Sequence, residues 1–386
     1  MTAPKARLFV AALTLAQFRS HALTHLALDG RPVALFGPNG AGKTNILEAV
    51  SLLSPGRGLR RASAEDLPRK AAVRPDPGLW RIRATLQGPD GLAEIALEGG
   101  PDGRRRVAVD GKAQPQTALA RIAPMLWLTP AMDRLWIEGP EGRRRFIDRA
   151  ALSFSPGHAD AASAYEKAMR ARNRLLREPR PDPAWLDALE AQMAQAGAAL
   201  AAGREAAVMR LNAAQRDVKS LFPHAEIAMI DGMENAPDHP CPTEARAEAL
   251  RRALARNRRE DAAAGRALTG PHRADLSACD AARGVEARLC STGEQKALLI
   301  SLVLANARAL GAEGAAPILL LDEVAAHLDA DRRAALFDEL FDLGAQAWMT
   351  GTGPELFEGQ RDRAQMFNVR ELDGASVTTR PALDQP

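Results

Sequence analysis

A glycine-rich run near the N-terminus narrows the possible folds of this chain. The run fits the pattern G-x-x-x-x-G-K-[ST], and its members are Gly37, Pro38, Asn39, Gly40, Ala41, Gly42, Lys43 and Thr44. Residues 33–36 before it are continuously apolar, which is typical of a buried strand, and the apolar positions over residues 46–53 favour an amphipathic helix. A strand, a glycine-rich turn and a helix in this order predict an α/β fold organised around a phosphate-binding loop.

The chemistry of this run follows from its residue types. Glycines allow successive backbone N–H groups to face one point at a helix N-terminus, where they form an anion site. Lys43 is expected to reach the β- and γ-phosphates of a nucleotide, and the Thr44 hydroxyl is expected to ligate Mg²⁺. The run therefore predicts ATP and Mg²⁺ as cofactors. The alternative interpretation is a glycine-rich turn that only opens an ordinary helix.

A second candidate site follows an apolar run nearer the C-terminus. Residues 317–321 precede two carboxylates, Asp322 and Glu323. In a parallel α/β sheet the carboxyl ends of the strands face the ligand crevice, so both side chains are expected beside the phosphate loop. We predict that Asp322 holds Mg²⁺ through water. Glu323 is the candidate catalytic residue together with Lys43, because a carboxylate can orient or deprotonate the attacking water.

A third candidate stands at the start of a long helix predicted over residues 293–310. Ser291, Gly293 and Glu294 lie at its N-terminus, where a hydroxyl and free N–H groups can hold an anion. The alternative interpretation is a plain capping box, with Ser291 as the N-cap and Glu294 as its partner. Both interpretations can hold together, because a capped helix still presents N–H groups to an outside phosphate.

Composition excludes several classes of protein. The chain has 386 residues, of which 46% are hydrophobic and 26% charged, with a net charge of +3. These values exclude global disorder and are ordinary for a globular protein of roughly two to three domains. The three cysteines show no CxxC or Cys/His pairing, which argues against a structural zinc site and a disulfide framework. The same cysteine pattern leads us to expect a reducing cytoplasm. No apolar run of about 18 residues occurs, so we expect no membrane span.

The distribution of apolar residues predicts three regions. Residues 1–115 hold the phosphate loop and short alternating runs separated by turn residues, which predict an antiparallel β layer. Residues 116–265 contain a long alanine-rich stretch with helical spacing and are expected to form an inserted, mostly helical lobe with an arm-like helical pair. Residues 266–386 return to an α/β pattern and are expected to complete the nucleotide-binding core.

Together these motifs resemble those of the ABC-type ATPases of the SMC-like branch. Residues 291–296 resemble the signature motif of that class, residues 322–323 its Walker-B pair and residues 328–329 its D-loop. Within the branch the chain is most similar to the RecF family, and this similarity rests on residues 17–20, 42–50, 139–149 and 270–276. The resemblance implies an ABC-type P-loop ATPase head with a β layer and an inserted helical lobe.

The resemblance also implies how such a site works. The signature residues of one copy are expected to complete the phosphate pocket of a second copy, so that ATP holds a homodimer together and its hydrolysis releases it. Hydrolysis is expected to be slow and DNA-stimulated. The implied partners are gapped duplex DNA with its junctions between single and double strand, the proteins RecR and RecO, and RecA, which they load. The implied location is the nucleoid.

Further residues acquire expected roles from the same resemblance. Asp329 is assigned to the D-loop, and Thr350 and Thr352 take the place of the switch histidine of transporter domains. The arginine-rich segment makes three residues possible DNA contacts, namely Arg143, Arg144 and Arg145. The alternative is a solvated helix face in a chain with arginine-biased codon usage. Aromatic residues make up only 4% of the chain, so contact with the duplex backbone is favoured over base stacking.

Two other functions share some of these motifs. A P-loop kinase shares the phosphate loop but does not need the signature or D-loop residues. An ATP-binding DNA clamp with negligible hydrolysis shares all of them, and single-turnover hydrolysis distinguishes it from a timer ATPase.

RecF-family members often carry two aspartates where this chain has Asp322 and Glu323. The longer carboxylate is at least as suited to activating water.

Overall fold

The computed structural model describes residues 8–70, 79–89, 91–100, 103–216, 218–233, 236, 241–314, 317–325 and 328–381. The strands of these residues are β1 (Phe9–Phe18), β2 (His21–Ala27), β3 (Val33–Phe36), β4 (Trp80–Gly88), β5 (Gly91–Gly99), β6 (Arg105–Val109), β7 (Lys112–Ala113), β8 (Met125–Leu128), β9 (Ala225–Ile230), β10 (Asp275–Asp280), β11 (Val285–Glu286), β12 (Ile318–Leu321), β13 (Ala347–Gly351), β14 (Gln365–Leu372) and β15 (Ala375–Thr379). The α-helices are α1 (Lys43–Ser51), α2 (Pro140–Phe154), α3 (Gly157–Leu175), α4 (Pro183–Ala213), α5 (Thr243–Arg256), α6 (Arg258–Ala264), α7 (Thr292–Ala312) and α8 (Ala330–Asp342).

The chain forms two compact units. Unit 1 comprises Met1–Asp133, Asp217–Phe222 and Leu299–Pro386. Unit 2 comprises Arg134–Arg216 and Pro223–Leu298. Each unit is therefore assembled from segments that are separated in the sequence.

Unit 1 contains a six-stranded antiparallel sheet with the order β2-β1-β4-β5-β6-β7. Side chains along β4 alternate between the two faces of the sheet. Trp80, Ile82 and Leu86 point to the buried face. Arg81 and Arg83 point to the exposed face. The predicted antiparallel β layer is confirmed by this sheet.

The second sheet of unit 1 carries the phosphate loop. Its strand order is β15-β14-β3-β13-β12-β8, and every neighbouring pair is parallel except β14 and β15. Strands β3 and β12 are buried throughout, as expected of continuously apolar strands in a parallel sheet. The carboxyl ends of β3, β13 and β12 therefore lie side by side at one edge. The sequence patterns did not indicate the hairpin of β14 and β15.

Helix α1 is fixed on unit 1 by its apolar face. Ile46, Leu47 and Val50 are each 0% exposed and belong to a core cluster that also contains Leu13 of β1 and Leu320 of β12. This packing orients the helix whose first residue is the loop lysine. The amphipathic helix predicted after the phosphate loop is confirmed.

Unit 2 is mostly helical, as expected, and a buried guanidinium links its helices. Arg172 of α3 is fully buried and donates hydrogen bonds to Glu190 of α4 at 2.9 Å, to Asp261 of α6 at 2.6 Å and to the carbonyl oxygen of Leu254 at 2.8 Å. A buried charge requires partners of this kind, because it has lost its hydration. The three-stranded sheet β11-β10-β9 of this unit was not indicated by the sequence.

The boundaries of the units differ from the predicted ones. Residues 116–133 belong to unit 1 and not to the helical lobe, since β8 pairs with β12 in the parallel sheet. Residues 266–298 belong to unit 2 and not to the nucleotide-binding core, since β10 pairs with β9. Pairing between strands that are distant in the sequence decides both boundaries, and composition does not record such pairing.

Two expectations from composition concern cysteines and membranes. Cys241, Cys279 and Cys290 form no disulfide. Within the described ranges, no helix has both the length and the apolar character needed to cross a bilayer.

Candidate nucleotide-binding site

The phosphate loop joins β3 to α1 through three glycines in left-handed conformations. The φ angles of Gly37, Gly40 and Gly42 are 147°, 82° and 102°. A Cβ atom on Gly37 would lie 2.0 Å from the carbonyl oxygen of Val369, which shows how closely β14 approaches the loop. Only glycine adopts these angles without strain, so the local fold depends on the glycines of the motif.

Lys43 is the first residue of α1, and its side chain is held at the loop. The residue is 5% exposed, and its Nζ donates hydrogen bonds to the carbonyl oxygens of Gly37 at 2.6 Å and Pro38 at 2.8 Å. Burial lowers the pKa of Lys43, and the carboxylates of Glu323 and Asp322 oppose this effect. The ammonium group is therefore held among the loop peptides and not in bulk water.

One carboxylate oxygen connects the phosphate loop to two neighbouring strands. Thr44 Oγ1 donates to Asp322 Oδ1 at 2.9 Å, and Thr350 Oγ1 donates to the same oxygen at 2.8 Å. The backbone N–H of Glu323 donates in turn to Thr350 Oγ1 at 2.8 Å. Asp322 follows β12 and Thr350 belongs to β13, so the parallel pairing of these strands brings the groups together.

This donor set fits a nucleotide with Mg²⁺. Carboxylate and hydroxyl oxygens are the protein ligands that Mg²⁺ prefers, and Asp322 and Thr44 offer one of each within hydrogen-bond distance. The loop supplies glycine peptides at the N-terminus of α1, where negative charge is stabilised. The partly buried Glu323 follows Asp322 with a φ of 55°, a strained value for a residue with a side chain.

The signature-like residues form the capping box that was the alternative interpretation. Ser291 Oγ donates to Glu294 Oε2 at 2.9 Å, and the Ser291 N–H donates to the same oxygen at 2.7 Å. These hydrogen bonds, with one from Arg283, lower the pKa of Glu294 to about 2. Ser291 and Gly293 are both exposed, so the helix tip is capped and also open to solvent.

The remaining motif residues have separate positions. Asp329 caps α8 by accepting a hydrogen bond from the backbone N–H of Arg332 at 2.8 Å. Thr352 is exposed in the bend after β13. The structure therefore brings Thr350 into contact with Asp322 and places Thr352 at the surface beyond the strand.

The three arginines of α2 differ in their surroundings. Arg143 donates to both oxygens of Asp275 at 2.7 and 2.9 Å and to two backbone carbonyl oxygens of its own unit, so most of its donors are occupied. Arg144 donates to the carbonyl oxygen of Ala274 at 2.8 Å. Arg145 forms an exposed ion pair with Glu141. The ion pair of Arg143 with Asp275 thus connects α2 to β10. DNA contact by the three arginines stays a prediction.

Comparison with known proteins places the chain in a family. A family model described as the RecF/RecN/SMC N terminal domain matches residues 9–372. The DNA replication and repair protein RecF of Rhizobium etli strain CIAT 652 is 48% identical over 369 residues, which are 93% of this chain and 96% of that protein. The chain belongs to the RecF family. The RecF protein of Mesorhizobium japonicum is 46% identical over 375 residues, with coverage of 94% and 97%.

Solved structures of this family have the same fold. A structure of the recombination mediator protein RecF with ATP, in the RecFOR pathway, matches with a TM-score of 0.84 at 21% identity and covers 98% of this chain and 99% of that one. A structure of an SMC head bound to the C-winged helix domain of ScpA matches with a TM-score of 0.54 at 16% identity, with coverage of 97% and 98%. The predicted ABC-type ATPase head is confirmed.

The sequence analysis did not predict an ion pair that joins α1 to the turn after β1. Glu48 of α1 is fully buried and accepts hydrogen bonds from two nitrogens of Arg19, at 2.8 and 2.7 Å. Arg19 also donates to the carbonyl oxygen of Asp66 at 2.6 Å. The sequence did contain a signal for this pair, because Glu48 lies among the apolar residues of α1. A carboxylate at a buried helix position requires a cationic partner.

Proposed function

We propose that this RecF-family chain is an ATP-dependent DNA-binding protein of recombinational repair. One observation supports ATP as its ligand above all: Thr44 of the phosphate loop and Thr350 of β13 both donate to Asp322 Oδ1. This contact joins the loop, the acidic strand end and the neighbouring strand into one site. The names of the curated relatives, DNA replication and repair protein RecF, support the role in repair.

In this proposal the residues of the site divide the work on the nucleotide. The loop peptides and Lys43 would bind the phosphates, and the Thr44 hydroxyl and the Asp322 carboxylate would hold Mg²⁺. The metal ion would supply charge neutralisation at the phosphates. Glu323 orients a water molecule and accepts its proton, with its backbone held by Thr350. Hydrolysis is slow and DNA-stimulated.

ATP acts in the proposal as the link between two copies of the chain. Ser291, Gly293 and Glu294 of one copy complete the phosphate site of the other. The exposure of Ser291 and Gly293 at the tip of α7 supports this role, because a buried tip could not reach a second chain. A ligand that binds only the dimer shifts the equilibrium towards it by mass action.

The proposed partners follow from the family. The dimer binds gapped duplex DNA at junctions of single and double strand and cooperates with RecR and RecO in loading RecA, in the cytoplasm at the nucleoid. Exposed arginines such as Arg145 are the candidate phosphate contacts. Backbone contact of this kind depends strongly on salt concentration.

Sedimentation of the purified chain tests the proposal. With Mg²⁺ and ATP the monomer is expected to become a dimer, and ADP is expected to leave it a monomer. Gapped duplex DNA is then expected to bind the dimer with an affinity that falls at least about 100-fold between roughly 50 and 200 mM salt. A chain that stays monomeric with ATP at every concentration, or binds DNA equally well at both salt concentrations, contradicts the proposal.

The variant Ser291→Arg tests the role of the helix tip. Arginine removes the hydroxyl and places a large charged side chain where the second phosphate site must close, so the variant is expected to bind ATP within about twofold of the unchanged chain but to remain monomeric. The exposed Ser155 at the end of α2 provides a control, Ser155→Arg, that should dimerise normally. Dimers of Ser291→Arg in ATP would show that the tip is only capped.

A further inference from the structure

Three polar side chains from two separate segments lie behind the phosphate loop. Ser20 lies in the turn between β1 and β2, His21 is the first residue of β2, and Ser376 comes from β15 in the C-terminal hairpin. His21 is 0% exposed and Ser376 is 2% exposed. The backbone N–H of Ser376 donates to the carbonyl oxygen of Ser20 at 2.8 Å, so the two segments are joined. We call Ser20, His21 and Ser376 the backing group.

The backing group binds the carbonyl side of the loop. Ser376 Oγ donates to the carbonyl oxygen of Ala41 at 2.7 Å and lies 2.6 Å from Ser20 Oγ. His21 Nε2 lies 3.1 Å from the carbonyl oxygen of Gly42. Since a carbonyl oxygen can only accept, Nε2 carries the proton, and burial lowers the pKa of His21, which favours this neutral imidazole.

The histidine ring is fixed on its other side as well. Nδ1 of His21 lies 2.8 Å from Thr24 Oγ1, whose hydroxyl donates to it in this tautomer. Both ring nitrogens therefore form hydrogen bonds, and these bonds fix the imidazole in the orientation that contacts the Gly42 carbonyl oxygen.

These contacts determine which way the loop N–H groups point. In a trans peptide the C=O and N–H of one plane point in opposite directions. When Ser376 holds the carbonyl of Ala41, the N–H of Gly42 is turned away from the backing group. His21 acts in the same way on the peptide of Gly42 and Lys43, together with two backbone N–H groups in the first turn of α1, which donate to the same Gly42 carbonyl oxygen at 3.1 and 3.3 Å. Gly42 has no room to move back, because a Cβ there would lie 2.3 Å from Ser376 Oγ and 2.6 Å from Ser20 Oγ.

We infer that Ser376 and His21 are positioning residues of the phosphate loop, which hold the N–H groups of Gly42 and Lys43 in the orientation that a triphosphate requires. This inference rests on the proposed binding of ATP. Both residues contact carbonyl oxygens of the loop. Their effect on the nucleotide comes from preorganisation, since a loop that is already ordered loses less conformational entropy when a ligand binds.

Calorimetric titration of the full chain with Mg²⁺–ATP and with Mg²⁺–ADP tests the inference. Ser376→Ala and His21→Leu are each expected to weaken binding of both nucleotides about tenfold. His21→Gln keeps an N–H donor near the Gly42 carbonyl and is expected to recover binding to within about threefold of the unchanged chain. Ser153→Ala, which removes a buried serine hydroxyl bonded to Ala150 in unit 2, is the matched control and should bind normally.

The outcomes separate this inference from the proposed function. An unchanged chain that binds no ATP contradicts the proposed function itself. If the unchanged chain binds ATP and both variants bind it equally well, the backing group does not position the loop. Weak binding by His21→Leu that His21→Gln does not restore, together with a lowered melting temperature of both without nucleotide, assigns the residue to folding alone and overturns the inference.

Discussion

Lys43→Ala is expected to weaken Mg²⁺–ATP binding by at least about 100-fold and to abolish ATP-dependent dimerisation. The lysine supplies the ammonium that lies within hydrogen-bond distance of the loop carbonyls of Gly37 and Pro38. Charge-assisted hydrogen bonds to phosphate are among the strongest in proteins, and loss of two of them accounts for a change of this size. Lys43→Met should behave in the same way, since it keeps the length of the side chain but not the charge.

Titration calorimetry and sedimentation on the same samples measure both effects of Lys43→Ala. Lys112→Ala provides the control, because Lys112 is an exposed lysine on β7 of the same unit. The control should bind ATP and dimerise like the unchanged chain. Unchanged nucleotide affinity of Lys43→Ala would reject the phosphate-binding role of the loop.

Glu323→Gln is expected to keep ATP bound while slowing its hydrolysis by about 100- to 10,000-fold, the range that general bases contribute. The substitution preserves the size of the side chain and the backbone N–H that donates to Thr350 Oγ1. It removes the negative charge of the carboxylate and with it the ability to accept a proton from water. Because hydrolysis is proposed to dissolve the dimer, the variant should accumulate as a dimer in ATP.

Single-turnover formation of ADP, with gapped DNA present, measures the effect of Glu323→Gln. Glu358→Gln changes an exposed glutamate of unit 1 and should hydrolyse ATP at the unchanged rate. Rapid hydrolysis by Glu323→Gln would refute its assignment as the base. If the unchanged chain itself forms no ADP over hours, the clamp with negligible hydrolysis is the correct description.

The candidate site was predictable where its residues follow one another in the sequence. The glycine spacing of the loop, the apolar strand before it and the capping box at Ser291 each involve only a few consecutive residues. Their conformations depend on local backbone preferences, on continuous burial and on hydrogen bonds across one helical turn. For the same reason the amphipathic helix α1 and the antiparallel sheet were predicted correctly.

The arginines of α2 show what such local reasoning leaves undecided. Their charge suggested phosphate contacts, but Arg143 meets Asp275, which lies 132 residues further along the chain. The charge of a residue states which partners it can have, whereas the fold decides which partner it meets. The predicted boundaries of the two units differ from the observed ones for the same reason, since β8 pairs with β12 and β10 pairs with β9.

The amino-acid sequence by itself determined that this chain carries a phosphate loop, an acidic strand end and a capped signature-like helix, because each depends on chemistry within a short segment. Only the tertiary structure decided which distant residues meet at the site. Thr44 and Thr350 donate to the same oxygen of Asp322, which lies 278 residues after Thr44. Ser376 donates to the carbonyl oxygen of Ala41, which lies 335 residues before it. The physical reason is that strand pairing brings these atoms together, and no local preference of either residue specifies a partner so far away.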